Sequence, residues 1–164
     1  MRLAILADPL DQFKTHKDTT FAIMREASKR GHEVYAFELQ DLACESGHVV
    51  GRTQRIHLTG DTSGSWYTAE EPQVEPLKHF DVVLMRKDPP FDMEYVYATH
   101  LLEQAERQGA RVLNRPRAIR DHGEKSAILE YLPCIAQTQP HAAASALPNK
   151  SLPGPVLDEH VHHP

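Results

Sequence analysis

Arg2-Leu3-Ala4-Ile5-Leu6-Ala7-Asp8-Pro9 opens the chain with a short apolar run stopped by an acid and a proline. Its length and its stop signal predict a buried first strand. From Asp18 to Arg30, apolar residues fall at Phe21, Ile23, Met24 and Ala27, close to helical spacing. Asp18 can cap the start of that helix and Gly31 its end. Glu33-Val34-Tyr35-Ala36-Phe37-Glu38 then alternates like a strand. Strand, helix, glycine, strand is the opening of a βαβ unit, which sets the fold class as α/β.

The same alternation returns further on. Phe80-Asp81-Val82-Val83-Leu84-Met85 reads as another buried strand. Met93 to Gln108 carries Val96, Tyr97, Leu101 and Ala105 as one helical stripe, with Asp92 as cap and Gly109 as terminator. Arg111 to Asn114 is a short strand, Pro116 begins a short helix ending near Asp121, and Glu124 to Tyr131 reads as another helix. The pattern implies a Rossmann-like, mostly parallel sheet with helices on both faces. Between the two halves, His48 to Leu58 suggests a hairpin turning near Gly47 or Gly51, and the polar, Gly/Ser-rich Gly60 to Val74 reads as a surface loop. From Leu132 the chain is Pro-, Ala- and Ser-rich without periodicity, and Pro140 to Pro164 is expected to be disordered or weakly ordered.

Composition narrows the function classes. The 164 residues suffice for one domain, and 40% of them are apolar. A net charge of -5 argues against binding nucleic acid or anionic membrane through a general basic footprint. No stretch approaches a membrane span, and the apolar start is too short for a signal peptide. The two cysteines, Cys44 and Cys134, suggest no structural disulfide and a reducing, cytoplasmic setting, with Cys44 a buried or idle thiol.

Open parallel sheets bind ligands beyond the carboxyl ends of their strands. Asp8-Pro9, Arg86 to Asp92 and Asn114-Arg115 would lie at that edge. In Arg86-Lys87-Asp88-Pro89-Pro90-Phe91-Asp92 two cations follow directly on an apolar strand, and two prolines restrict the backbone behind them. Arg86 can clamp a carboxylate through two hydrogen bonds, with Lys87 a point charge beside it. Equally, Arg86 can pair with Asp88, Asp92 or a helix end and merely fix the loop. At Lys17-Asp18-Thr19-Thr20 a helix start offers N–H groups to an anion, or is simply capped by Asp18. Lys125 alone reads as a surface lysine. His160, His162 and His163 lack the second half-site of a designed zinc centre. Neither a Gly-x-Gly-x-x-Gly dinucleotide fingerprint after the first strand nor a Walker-type loop is present.

Residues 1 to about 131 resemble the amino-terminal, pre-ATP-grasp domain of prokaryotic glutathione synthetase. The resemblance rests on Leu6-Ala7-Asp8-Pro9, Lys17 to Ala22, Arg30-Gly31 and above all Leu84-Met85-Arg86-Lys87-Asp88-Pro89-Pro90-Phe91-Asp92. It continues through Tyr95 to Thr99, Asn114-Arg115-Pro116 and Arg120 to Lys125. It departs at Gly123 and Ser126, where the family usually has Asn and Leu, and the tail from Leu132 resembles nothing in the family.

The resemblance implies an ATP-grasp ligase. In that family ATP phosphorylates the cysteinyl carboxylate of γ-glutamylcysteine, and glycine's amine attacks the acyl phosphate, with Mg (or Mn) bound. It also implies substrate contacts from Lys17, Asp18, Thr19, Arg86, Lys87, Asp88 and Asn114, and contact of Lys125 with ATP phosphate. A homo-oligomer is expected by the same resemblance. Because no ATP-grasp sequence follows Tyr131, the chain is expected to be a truncated form, inactive alone and holding neither ATP nor metal stably, with a frameshift as one origin of the tail. The alternative is a non-catalytic small-molecule or partner-binding module derived from that domain.

Overall fold

The structure is a computed structural model that describes residues 1–60 and 65–122. These residues belong to the unit Met1–Gly123. The expected helix over 124–131, Lys125, Cys134, the tail and its histidines lie outside the described residues.

β1 (Arg2–Leu6) is the central strand, buried along almost its whole length. Its side chains alternate between two cores. Leu3 and Ile5 face α1 (Thr19–Lys29) through Phe21, Met24 and Ala27. Ala4 and Leu6 lie in the opposite core with Ala98, Leu102 and Ala105 of α2 (Met93–Arg107). Burying one such large apolar side chain contributes about 1.5–3 kcal/mol, so the two helices hold the sheet from opposite faces. β2 (Glu33–Phe37) and β7 (Val82–Met85) flank β1, and β8 (Val112–Leu113) follows β7. All three pairings are parallel. The expected parallel sheet with helices on both faces is therefore present in the order β2-β1-β7-β8.

Beyond β2 the sheet turns antiparallel. β4 (His48–Leu58) pairs with β2 through Ala36–Gln54 and its neighbours, and with β3 (Leu42–Glu45) through a turn at Ser46-Gly47. Both turn residues have positive φ, 48° at Ser46 and 79° at Gly47, so the glycine sits where its freedom is needed. Gly51 is no turn: it lies inside β4, where an added Cβ would meet Leu77 Cδ2 at 3.1 Å and Thr53 Cγ2 at 3.3 Å.

The stretch read as a loop between Gly60 and Val74 also needs correction. It contains β5 (Tyr67–Ala69) and the start of β6 (Gln73–Pro76), both paired antiparallel to β4. Trp66 is the reason. It is buried against Phe21, edge-on at 5.0 Å, and stacked on Phe13 at 5.9 Å, and it pins an otherwise polar segment to the core.

The caps are as expected. The Asp18 carboxylate accepts from the Thr20 and Phe21 amides, and Asp92 accepts from the Tyr95 amide. The helical stripes are rotated from their predicted positions. Thr20 replaces Ile23 on the buried face of α1, and α2 buries Ala98, Thr99, Leu102 and Ala105 while Tyr97 is exposed. Thr99 satisfies its hydroxyl on the Val96 carbonyl at 2.6 Å, which removes the cost of burying it. α3 (Pro116–Asp121) begins at Pro116, with proline in its first turn. It is tied to α2 by Arg120, whose guanidinium donates to Glu103 at 2.8 Å.

Candidate functional site

From β1 the chain crosses through α1 to β2 on one side, while β7 crosses through α2 to β8 on the other. The carboxyl ends of β1 and β7 are therefore the point at which the connections diverge, where open α/β sheets form a binding crevice. A cleft of about 530 Å³ lies there. It is lined by Asp8 after β1, by Arg86, Asp88 and Pro89 after β7, and by Gln12, Phe13, Lys14, Lys17, Asp18, Thr19 and Thr20 leading into α1.

Arg86 is the centre of the arrangement. Its backbone N–H donates to the Leu6 carbonyl at 2.7 Å, which continues the β1–β7 ladder. Its guanidinium donates from Nε to Thr20 Oγ1 at 3.2 Å and from Nη2 to Thr19 Oγ1 at 2.7 Å. Among the described residues no carboxylate forms an ion pair with it. Two neutral hydroxyls thus aim the guanidinium and leave it further N–H donors. Thr20 is buried at 5% exposure, so this support is held rigidly by α1 packing.

The structure brings Lys17, Asp18, Thr19, Arg86 and Asp88 to one cleft. Asp18 spends its carboxylate on the Thr20 and Phe21 amides, at 2.7 and 3.0 Å. Those two donors are therefore taken by the cap, and the cations the cleft can offer an anion are the side chains of Arg86, Lys14 and Lys17, beside the carboxylates of Asp8, Asp18 and Asp88. Lys87 does not line the cleft: its Nζ pairs with Asp8 Oδ1 at 2.7 Å and donates to the Asp88 carbonyl at 2.8 Å. Asn114 follows β8 one residue past the Leu84–Leu113 pair, exposed and outside the cleft. Lys125 lies outside the described residues.

Sequence reasoning missed Lys14 and Thr20, and it assigned Asp8 no role beyond the sheet edge. Asp8 carried a signal, since it stands directly after the central strand. Lys14 carried none, because a short turn at Leu10–Gln12 and a turn at residues 14–17 fold it back over the sheet edge.

A second cleft of about 300 Å³ opens beyond β1 and β2 and is lined by Asp8, Asp11, Glu38, Asp41, Arg52 and Tyr67 among others. Burial pushes the Glu38 carboxyl above its usual range, and the charges of Asp41 and Asp8 add to the shift. Burial, with a 2.7 Å hydrogen bond to Asp11, pushes the Tyr67 phenol up to about 12. Among the described residues no group of three or more His, Cys, Asp or Glu is placed to hold a metal ion, and no helix is long and apolar enough to cross a membrane. Cys44 is exposed rather than buried, on the edge strand β3.

Sheet order, two-faced helix packing and a crevice at the divergence of the connections define a domain of the open α/β class. Residues 1–120 match the N-terminal domain of prokaryotic glutathione synthetase, and the chain belongs to that family. It is 51% identical over 138 residues to the glutathione synthetase of Ralstonia nicotianae, covering 84% of this chain and 42% of that protein. It is 52% identical over 135 residues to that of Nitrosomonas europaea, covering 80% and 42%. Against that of Vibrio parahaemolyticus, identity is 44% over 125 residues, covering 76% and 39%. The chain thus spans about two fifths of the length of the curated relatives it matches.

Proposed function

We propose that this chain supplies the peptide-binding side of glutathione synthesis, the ATP-dependent joining of glycine to γ-glutamylcysteine. A bare carboxylate is a poor acyl donor, so the reaction needs phosphorylation by ATP before glycine's amine can attack. A domain that serves such a reaction must hold a dipeptide bearing two carboxylates still and offset their charge. The observation that carries this reading is Arg86, whose guanidinium is aimed by Thr19 and Thr20 and, among the described residues, is in no ion pair. Its planar fork suits one substrate carboxylate, and Lys14 and Lys17 lie along the same cleft for a second.

Asp88 and the capped start of α1 shape the cleft between them. Among the described residues no cluster of His, Cys, Asp or Glu is placed to hold a divalent ion. Contact of Lys125 with ATP phosphate is carried into this reading from the family resemblance. A cytoplasmic setting and self-association complete the reading, the latter open to sedimentation analysis.

Calorimetric titration of the purified chain with γ-glutamylcysteine tests the proposal. Binding is expected, and Arg86→Ala should weaken it about tenfold or more, the loss of a charged bidentate contact. Arg86→Lys should recover only part of it. Equal affinity in wild type and Arg86→Ala would remove Arg86 from the site.

A further inference from the structure

We infer that Asp8 is a positioning residue for Arg86, and that Lys87 serves the cleft as the other half of this latch rather than as a cation for the ligand. The inference rests on the substrate reading of the Arg86 cleft for its functional meaning, but its geometry stands apart from any ligand.

Asp8 follows the last two buried residues of the β1 run, and both of its carboxylate oxygens are used. Oδ1 pairs with Lys87 Nζ at 2.7 Å, and Oδ2 accepts the Asp88 N–H at 2.9 Å. Lys87 closes the ring by donating to the Asp88 carbonyl at 2.8 Å. The two side chains are only 19% and 26% exposed, so the pair is sheltered from much of the screening that weakens surface ion pairs. The ladder between β1 and β7 gives out at the bond from the Arg86 N–H to the Leu6 carbonyl. Beyond that point Asp8 is what carries the alignment of the two strands onward.

Arg86 is therefore fixed from two sides. Thr19 and Thr20 take its guanidinium, and the Asp8 ring holds the backbone on its carboxyl side. Without the ring the guanidinium must find its place through a long side chain on a loosened loop, which adds an ordering cost to every binding event. With Lys87 committed to Asp8, the positive charge that this loop presents to the cleft is that of Arg86, with the Asp88 carboxylate beside it.

The test uses the full chain and three variants: Asp8→Asn, Lys87→Met and the double variant. The first measurement is solvent exchange of the Arg86 Nε–H by NMR, which needs no ligand. Exchange about tenfold faster in each single variant, with no further increase in the double variant, is expected of one shared latch. Unchanged exchange in Asp8→Asn overturns the inference. The second measurement is γ-glutamylcysteine affinity at a temperature where every variant is folded by circular dichroism. About tenfold weaker binding in Asp8→Asn is expected, with Lys87→Met adding nothing further in that background. An additional loss in the double variant would make Lys87 a ligand contact and overturn the inference. If the wild-type chain does not bind the dipeptide, the proposed function falls, and the exchange measurement alone decides whether Asp8 positions Arg86.

Discussion

At the scale of single residues, the charged side chains fall into two kinds, those spent on the fold and those left for a ligand. Asp18 belongs to the first. Its carboxylate satisfies two amides at the start of α1, so Asp18→Ala should cost about 1 kcal/mol of stability, while Asp18→Asn should keep most of it. Urea denaturation midpoints would show the difference. Glu38 and Glu103 make a pair of opposite sign. Burial, Asp41 and Asp8 raise the Glu38 pKa, so the folded state holds that proton more tightly than the unfolded one. Its contribution is favourable at low pH and is lost as pH rises from the ordinary carboxylate range through the folded value. Glu103 is lowered by its hydrogen bond with Arg120, so its contribution is present above that range and lost as pH falls through the folded value. Glu38→Gln should therefore gain stability over wild type at about pH 7 and lose the advantage at about pH 4, whereas Glu103→Gln should lose stability at about pH 7 and approach wild type at about pH 4. Denaturation midpoints at the two pH values check both signs.

At the scale of elements, the central α/β unit was legible because its signals are local. Apolar runs closed by Asp8-Pro9 and by Arg86, and caps at Asp18 and Asp92, need no distant partner to be read. β5 and β6 were not legible, because their residues become strands only through pairing with β4 and the anchoring of Trp66. Truncating that anchor tests the point. Trp66→Ala should cost about 3–5 kcal/mol, and it should speed amide exchange in Tyr67–Ala69 more than in β1. Mass-spectrometric exchange over these peptides would show whether the loss is regional. The exact helix stripe escaped sequence reading for a related reason. Tyr97 and Ala98 are both apolar enough to qualify, and only the position of the sheet beneath α2 selects the smaller one for burial. Of the candidate site, the convergence of Arg86 with the start of α1 was readable from strand-end placement. The diversion of Lys87 to Asp8 was not, since adjacent residues on a strand point to opposite sides and no spacing rule names the partner.

At the scale of the whole molecule, a chain of net charge -5 places Lys14, Lys17 and Arg86 along one cleft at the divergence of its connections. Attraction of an anionic peptide to that cleft should therefore be short-ranged and sensitive to salt. Raising sodium chloride from about 0.05 M to about 0.5 M should weaken γ-glutamylcysteine binding several-fold, and the same change should have a smaller effect on Arg86→Ala. Titrations at the two concentrations give the comparison.

Trp66 is the sole indole in the sequence. It stacks on Phe13, and Phe13 is itself part of the cleft wall. The protein thus carries a built-in optical reporter one ring away from its candidate ligand, whose emission colour and quenching track both the anchoring of β5 and any displacement of that wall, without a label or an added chromophore.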